Sequence, residues 1–392
     1  MAVEKSARAQ AAIRAFGAFL WRMARFAWRN FSRVSRTVLH YTGSDDDRGG
    51  VMSVLHALAG AGNFACVLGV NPGFTQRRTP SLAVLEFPRI AGEIIGVKTF
   101  WRARAVARAA QRWLAEDRTR IFHAHSRAGL VVAWWLVRFG ERRVVVSVHC
   151  YGRQRWFYRW AARQLEGRLY WLSPAMKHYY GVIADDSWAQ CIPGCVPAGR
   201  ETPVQRKRDP ARLRLGGVGA LVAWKGWHLL PEALAKLPEK LRARVHFDHI
   251  GGAGSDPESQ RYAARLRART EELGLAASVT WRGEQASSAS FLREIDALVV
   301  ASDHEPFSIA VLEALAAGVP VLAADTGGAQ DLIERESSGW FFRSGDPAAL
   351  AAAIGRLMED SAWARIDVGP DAVRRFTAPV IAAQWERVYA AL

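Results

Sequence analysis

The sequence predicts an α/β chain of two doubly wound domains facing each other across a cleft. Three observations carry this. Short apolar runs alternate with helix-period stretches along most of the chain, the pattern of βα units around parallel sheets. At 392 residues the chain is long for one domain, and half of its residues are hydrophobic, enough for two cores. A polar and basic stretch, Glu201 to Arg214, divides it near the middle. The predicted parts are an N-terminal helix over 1–35, a first domain over 36–200, a linker over 201–214, a second domain over 215–368 and a C-terminal helix over 369–392.

Residues 8–34 place Ile13, Phe16, Leu20, Met23, Ala24, Ala27, Trp28 and Phe31 at helical spacing, with Arg14, Arg22, Arg25, Arg29 and Arg33 mostly between them. A basic amphipathic helix rich in aromatics has the composition of a segment lying in a membrane interface. The strand Thr37 to Tyr41, a loop with Gly49-Gly50 and a helix from about Val51 form the first βα unit. Asp45, Asp46 and Asp47 in that loop suit either a cation or, more commonly, a solvated turn. Phe64 to Val70 reads as a strand and Val97 to Glu116 as a basic helix with Trp101 and Trp113. The strand Arg120 to Ala124 delivers His123-Ala-His125-Ser126. Ligands of open α/β sheets bind beyond the carboxyl ends of strands, which puts His125 in the cleft. The helix Gly129 to Phe139 and the strand Arg143 to His149 follow. Tyr151 to Tyr170 sets arginines among tryptophans and tyrosines, a second anion-facing surface. Leu169 to Ser173 and Ile192 to Val196 close the first domain.

The second domain opens on a strand, Leu215 to Val222, followed by a helix through Leu237. Val245 to Gly252 is a strand and glycine turn, Glu258 to Leu273 an exposed charged helix, and Val279 to Gly283 a strand. The segment Ser302 to Gly328 is the most informative. Glu305 and Glu313 stand eight positions apart. Ser308 to Ala317 holds good helix formers, Gly318 is a natural residue just past a helix end, and Pro320 prevents continuation. Val319 to Ala324 reads as a buried strand, and Gly327-Gly328 follow it. Amides around Phe307 to Ala310 lack helical partners, and such a helix start attracts phosphate. A carboxylate at each end of an anion site suits a nucleotide sugar, one accepting from sugar hydroxyls and the other from ribose. Ser337 to Asp346 is a turn-rich stretch, Pro347 to Glu359 a helix, and Pro379 to Leu392 the last helix.

Charge narrows the partners. Residues 1–200 carry 30 Lys and Arg against 12 Asp and Glu, a net of +18, while the remainder stands at −2. The anionic partner therefore belongs to the first half: membrane surface, charged lipid or nucleic acid. Nucleic acid is not expected, because the basic half lacks a nucleic-acid motif. The four cysteines are too few for a disulfide scaffold and read as thiols of a reducing compartment. The sequence has no run of 18 apolar residues and no clean signal-peptide order.

The frame HEPFSIAVLEALAAGVPVLA, with Glu305 and Glu313, resembles the donor-site motif of retaining GT-B glycosyltransferases, and is most similar to glycosyltransferase family 4, the group 1 enzymes. The match is specific over about Val279 to Asp346 and traceable from about Val38 onward. The resemblance implies a GT-B fold of two facing Rossmann-like domains. It implies transfer of a sugar from a nucleotide diphosphate to a glycan or lipid-linked acceptor, with retention of configuration, as in polysaccharide or lipopolysaccharide biosynthesis. It puts His125 beside the reacting sugar, Glu305 on sugar hydroxyls and Glu313 on ribose. Gly50, in the Gly-Gly turn, lets backbone approach the donor diphosphate or the acceptor, and Gly219, Lys225 and Gly226 resemble the phosphate-binding stretch. Ser308, Ile309 and Ala310 supply amides. The family has Arg directly after the first glycine, where this chain has Ala220, and Asn in the segment that here reads Pro193-Gly194-Cys195-Val196-Pro197. With no Asp-x-Asp in a metal context, no metal and no cofactor is expected. The expected location is the cytoplasmic membrane face. A nucleotide-sugar epimerase of the same fold and a non-enzymatic anion-binding protein are the rival classes.

Overall fold

The computed structural model describes residues 36–78, 81–90, 96–165, 167–182, 189–197, 209, 211–254, 256–285, 287–334, 337–360, 368 and 370–392. The predicted N-terminal helix, Phe16 and Trp28 included, and most of the predicted linker lie outside these residues.

The first sheet contains β1 (Arg36–Tyr41), β2 (Phe64–Val70), β3 (Ala83–Glu86), β4 (Arg120–Ala124), β5 (Val144–Val148) and β6 (Leu169–Trp171) in the order β3-β2-β1-β4-β5-β6. The second contains β7 (Leu213–Val218), β8 (Val245–Ile250), β9 (Val279–Trp281), β10 (Ala297–Val300), β11 (Val321–Ala324) and β12 (Gly339–Phe342) in the order β12-β11-β10-β7-β8-β9. Every pairing is parallel. Buried parallel strands read as continuous apolar runs, and β5 (VVVSV), β10 (ALVV) and β11 (VLAA) are buried along their whole lengths.

Helices cover the sheets. In the first domain they are α1 (Gly50–Leu58), α2 (Val97–Ala115), α3 (Arg127–Arg138), α4 (Arg155–Gln164) and α5 (Pro174–Tyr180). In the second they are α6 (Leu229–Lys236), α7 (Glu239–Arg242), α8 (Pro257–Glu272), α9 (Ser288–Leu292), α10 (Ile309–Ala316) and α11 (Pro347–Asp360). The last helix, α12 (Ala378–Ala390), returns to the first domain. Its Ile381, Ala382, Trp385 and Tyr389 are buried with Val38, Leu58, Phe64, Ile121 and Val145.

Two local readings are corrected. The turn-rich stretch Ser337 to Asp346 contains β12, because Gly339-Trp340-Phe341-Phe342 pairs in register with β11. Linker character ends before Arg214, since β7 begins at Leu213, buried against β8.

Each sheet reverses its strand order once, between β1 and β4 and between β10 and β7. Crevices at such reversals are where open α/β sheets hold ligands. The segments that follow β1, β4, β7 and β10 carry Gly50 (at the start of α1), His125, Lys225 and Glu305, so the topology alone takes these four residues to two facing crevices.

Candidate active site at the domain interface

The loops after β7 and β10 bring two of the expected residues into contact. Lys225 Nζ lies 2.5 Å from Glu305 Oε2, and Ser302 Oγ donates to the same oxygen at 2.9 Å. Glu305 is only 6% exposed. A buried carboxylate needs such partners, because an unpaired one carries the full desolvation cost. Lys225 Nζ also sits 4.4 Å from the centre of the Trp224 ring.

Backbone packing holds this pair in place. Gly226, directly after Lys225, has φ +69°, and a Cβ there would collide with the carbonyl oxygen of Ala301. Gly327 has the same φ, and its Cβ would collide with the backbone of Glu305. Gly328 N donates to Glu305 O at 2.6 Å. The glycines after β11 thus clamp the loop that aims Glu305. Gly219 ends β7 with φ +148°, its Cβ position 3.7 Å from Lys225 Cε.

Ser308 caps α10, its hydroxyl accepting from Val311 N at 3.4 Å. The helix buries Val311, Leu312, Ala314, Leu315 and Ala316 and leaves Ile309, Ala310 and Glu313 half-buried. Those three share one face at i, i+3 and i+4 spacing. That face looks at the first domain: Ile309 Cγ1 lies 3.5 Å from where a Cβ on Gly50 would stand. A Cβ on Gly194 would be 2.6 Å from Ile309 Cδ1 and 3.2 Å from Phe307 and Val54. The segment without the family's Asn therefore makes an apolar, side-chain-free approach to the start of α10. Glu313 accepts from Ser288 Oγ at 2.6 Å.

The first domain contributes a chain of imidazoles. His40 Nδ1 lies 2.9 Å from His125 Nε2, and His125 Nδ1 lies 3.0 Å from His149 Nε2. His123, in register with His40 on the adjacent strand, meets Tyr389 OH and Ser147 Oγ, each at 2.8 Å. Burial pushes His40 down to about 3 and His149 to about 4, and holds His123 and His125 well below the ordinary imidazole range. The rings are neutral at working pH, so each has one donor and one acceptor nitrogen. Both nitrogens of the buried His125 are engaged within the domain. His149 is half-buried, and its Nδ1 has no partner among the described residues.

His40, His123 and His125 are also the described group of three ligand-type side chains close enough for a metal, their nitrogens within 4.8 Å of one another. The donor set does not converge, however. Both nitrogens of His123 and of His125 are hydrogen-bonded, and only His40 Nε2 is without a partner. The three aspartates before Gly49 diverge too. Asp45 takes Asn71 at 3.1 Å and Arg89 at 2.6 Å, Asp46 takes Arg48 at 2.7 Å, and buried Asp47 takes the amides of Arg77 and Arg78 at 2.8 and 2.7 Å. Each ties down a different piece of loop.

The domains touch around the Glu305 loop. Ser173 Oγ donates to Pro306 O at 3.0 Å, and Ala175 N to Asp331 Oδ2 at 3.2 Å. The Tyr151 and Tyr179 rings lie 5.8 and 6.3 Å from that of His304. Sequence reasoning did not single out Ser288, Ser302, His40, His149 or Tyr151. His149 had a signal, since it stands just past β5 as His125 stands just past β4.

The imidazoles give a pH prediction. The unfolded chain binds protons on these rings near pH 6.5, whereas folded His149 and His40 do so near 4 and 3. Protons therefore favour the unfolded state in that interval. Stability is full above 6.5 and falls as the pH drops toward 4, by about 1.4 kcal/mol per pH unit for each such ring. Thermal unfolding followed from pH 6.5 downward should show this, with a shallower slope in His40→Gln. A melting temperature flat across the interval would refute it.

Comparison with known proteins agrees with this architecture. The solved structure of Anabaena HepE in complex with UDP matches at a TM-score of 0.72 and 19% identity, over 91% of this chain and all of that one. Sucrose-phosphate synthase from Thermosynechococcus elongatus matches at 0.71 and 21%, over 91% and 98%. Two parallel six-stranded sheets, flanked by helices and facing across a cleft, define the GT-B fold. The family model described as glycosyl transferases group 1 matches residues 201–368. The likeness to group 1 glycosyltransferases is thus carried by the C-terminal domain, less than half of the chain. Among curated relatives, the lipopolysaccharide core biosynthesis glycosyltransferase LpsD of Rhizobium meliloti is 31% identical over 181 residues, 46% of this chain and 48% of that protein. A D-inositol 3-phosphate glycosyltransferase of Acidothermus cellulolyticus is 31% identical over 180 residues, 42% and 40%. The match thus spans less than half the length of either relative.

Proposed function

We propose that the protein transfers a sugar from a nucleotide diphosphate to a glycan or lipid-linked acceptor, with retention of configuration, at the cytoplasmic face of a membrane. The observation that carries the transferase reading is the pair of half-buried Lys225 and buried Glu305 beside the capped start of α10, with Gly50 and Gly219 leaving backbone room around it. Glycosyl transfer builds negative charge on the departing diphosphate and positive charge on the anomeric carbon. Lys225 and the amides of Ser308, Ile309 and Ala310 answer the first with fixed, preorganised charge and dipoles. Glu305 binds sugar hydroxyls and Glu313 accepts from ribose. A histidine contact to the sugar runs through the imidazole chain, with His125 fixed between its neighbours and His149 offering the open nitrogen. We assign no protein nucleophile.

The acceptor reading rests on the +18 charge of residues 1–200 and on the relatives named for lipopolysaccharide core biosynthesis. Among the described residues no helix is long and apolar enough to cross a membrane. A thermal-shift and hydrolysis screen against a panel of nucleotide sugars tests the donor. A stabilising shift with one nucleotide family, kept in excess chelator, is the expected result. No response to any nucleotide sugar would sink the transferase reading. A response that chelator abolishes reversibly would overturn its metal independence.

A further inference from the structure

Three helices of the first domain, α2, α3 and α4, together hold ten Lys and Arg and not one Asp or Glu. Their aromatic side chains join into one ladder across all three. Trp101 stacks near Trp135 (6.3 Å between ring centres) and Phe100 (5.9 Å), and Phe100 reaches Trp134 at 5.4 Å. Trp134 reaches Trp160 at 5.7 Å, and Phe157 links Trp160 to Trp156 at 5.8 and 6.1 Å. The two ends of the ladder face solvent, Trp101 at 61% exposure and Trp156 at 65%. Guanidinium groups sit on it: Arg104 lies 5.4 Å from the Trp135 ring centre and Arg138 5.7 Å from that of Trp134. Among the described residues, Arg108, Arg112, Arg138, Arg159 and Arg163 have no carboxylate partner, whereas the first acids after α2 and α3, Glu116 and Glu141, pair with Arg120 and Arg143. A groove of about 360 Å³ runs along α2 between Pro88, Trp101, Arg104, Arg108 and Arg112.

Exposed tryptophans at the rim of unpaired arginines match one kind of surface, a bilayer interface with anionic headgroups. Indole rings settle at headgroup level, and arginines take lipid phosphates. The face also leads to the cleft. Arg155, at the start of α4, lies 4.1 Å over the Tyr179 ring, and Tyr179 is 4.6 Å from Tyr151, which borders His304 next to Glu305. Other occupants fit the charge less well. Residues 8–34 contain arginines and no acid, and a second copy would present the same positive face.

We propose that the α2–α3–α4 face lies on an anionic lipid bilayer, with Trp101 and Trp156 at headgroup depth and the cleft opening toward the membrane plane. The proposal rests on the membrane-acceptor reading above and locates it outside residues 1–35.

The test uses the full chain and sedimentation with vesicles of phosphatidylglycerol and phosphatidylcholine, against phosphatidylcholine alone. Arg108→Gln, Arg112→Gln and Arg159→Gln combined should weaken binding about a hundredfold at low salt, each exposed charge counting for about fivefold. Trp101→Ser with Trp156→Ser should weaken it about tenfold, with less salt dependence. All five side chains are exposed, so melting temperatures should stay near that of the wild type. Vesicle binding unchanged in these variants, but lost in Phe16→Ser with Trp28→Ser, would overturn the face and leave the membrane reading standing. Variants that keep vesicle binding and lose single-stranded RNA binding would assign the face to nucleic acid instead. A wild-type chain that pellets with neither vesicle would overturn both this inference and the membrane reading.

Discussion

Lys225→Met is expected to lower kcat/KM for nucleotide-sugar turnover by about two to three orders of magnitude, the usual effect of removing one preorganised donor from a developing anion. The expectation follows from the pair's surroundings. Position 220, where the resembled family carries a second cation, is Ala220, so Lys225 is the cationic side chain on the β7 side of the proposed diphosphate site. In the structure Lys225 is held against Glu305 at 2.5 Å rather than ranging through solvent. Its removal also leaves a buried carboxylate with, among the described residues, only the Ser302 hydroxyl, and stranding a buried charge in this way costs up to about 3–5 kcal/mol, less here because Lys225 is half-buried. The double variant Lys225→Met with Glu305→Gln removes that orphaned charge. It should therefore melt higher than Lys225→Met alone while remaining as inactive. A Lys225→Met enzyme that binds and turns over donor like the wild type would remove Lys225 from the site. A double variant melting below the single one would show that the buried charge is not what destabilises it.

Gly327→Ala should destabilise the fold by about 4 kcal/mol and depress turnover further than that loss explains. A non-glycine residue at φ +69° costs about 1–3 kcal/mol in backbone strain. The new methyl group meets the backbone of Glu305, and overpacking of this kind adds about 1–3 kcal/mol. Relief requires the Glu305 loop to move, and that loop sets the Lys225–Glu305 distance. Denaturant unfolding and steady-state kinetics on the same variant separate the two effects. If Gly327→Ala lost stability but kept kcat/KM at temperatures where it is fully folded, the clamp would be structural only.

Much of this was legible in the sequence, for identifiable reasons. Parallel strands buried on both faces must be apolar, so β1, β2, β4, β5, β8 and β11 stood out as runs. Helix α10 was legible from its good helix formers over Ser308 to Ala317 and from its end at Gly318, whose signals are local, whereas the Ser308 cap emerged only in the structure. The β12 strand was hidden because Gly339 and its Ser and Asp neighbours resemble a turn. Its aromatic residues become a strand only against β11. The four histidines were illegible as a group. Register between parallel strands sets His40 beside His123, and the β4 and β5 ends then place His125 and His149, at separations of 85 and 24 residues from their partners. The aromatic ladder is similar, since Trp101, Trp134 and Trp160 belong to three helices whose packing no periodicity discloses.

The chain's return through α12 has a mechanical consequence. Val196 N donates to Phe376 O at 3.1 Å, and Ala378 N to Val196 O at 2.9 Å. The outgoing and returning crossings between domains are thereby fastened side by side, which gives the two bodies one pivot instead of two separate tethers. Rotation at such a pivot moves each atom in proportion to its distance from the axis. It leaves groups close to the axis, such as Gly194 under Ile309, nearly fixed, and sweeps distant rims through the widest arc. Ser173 to Pro306 and Ala175 to Asp331 are then latches that opening must release, each a single hydrogen bond.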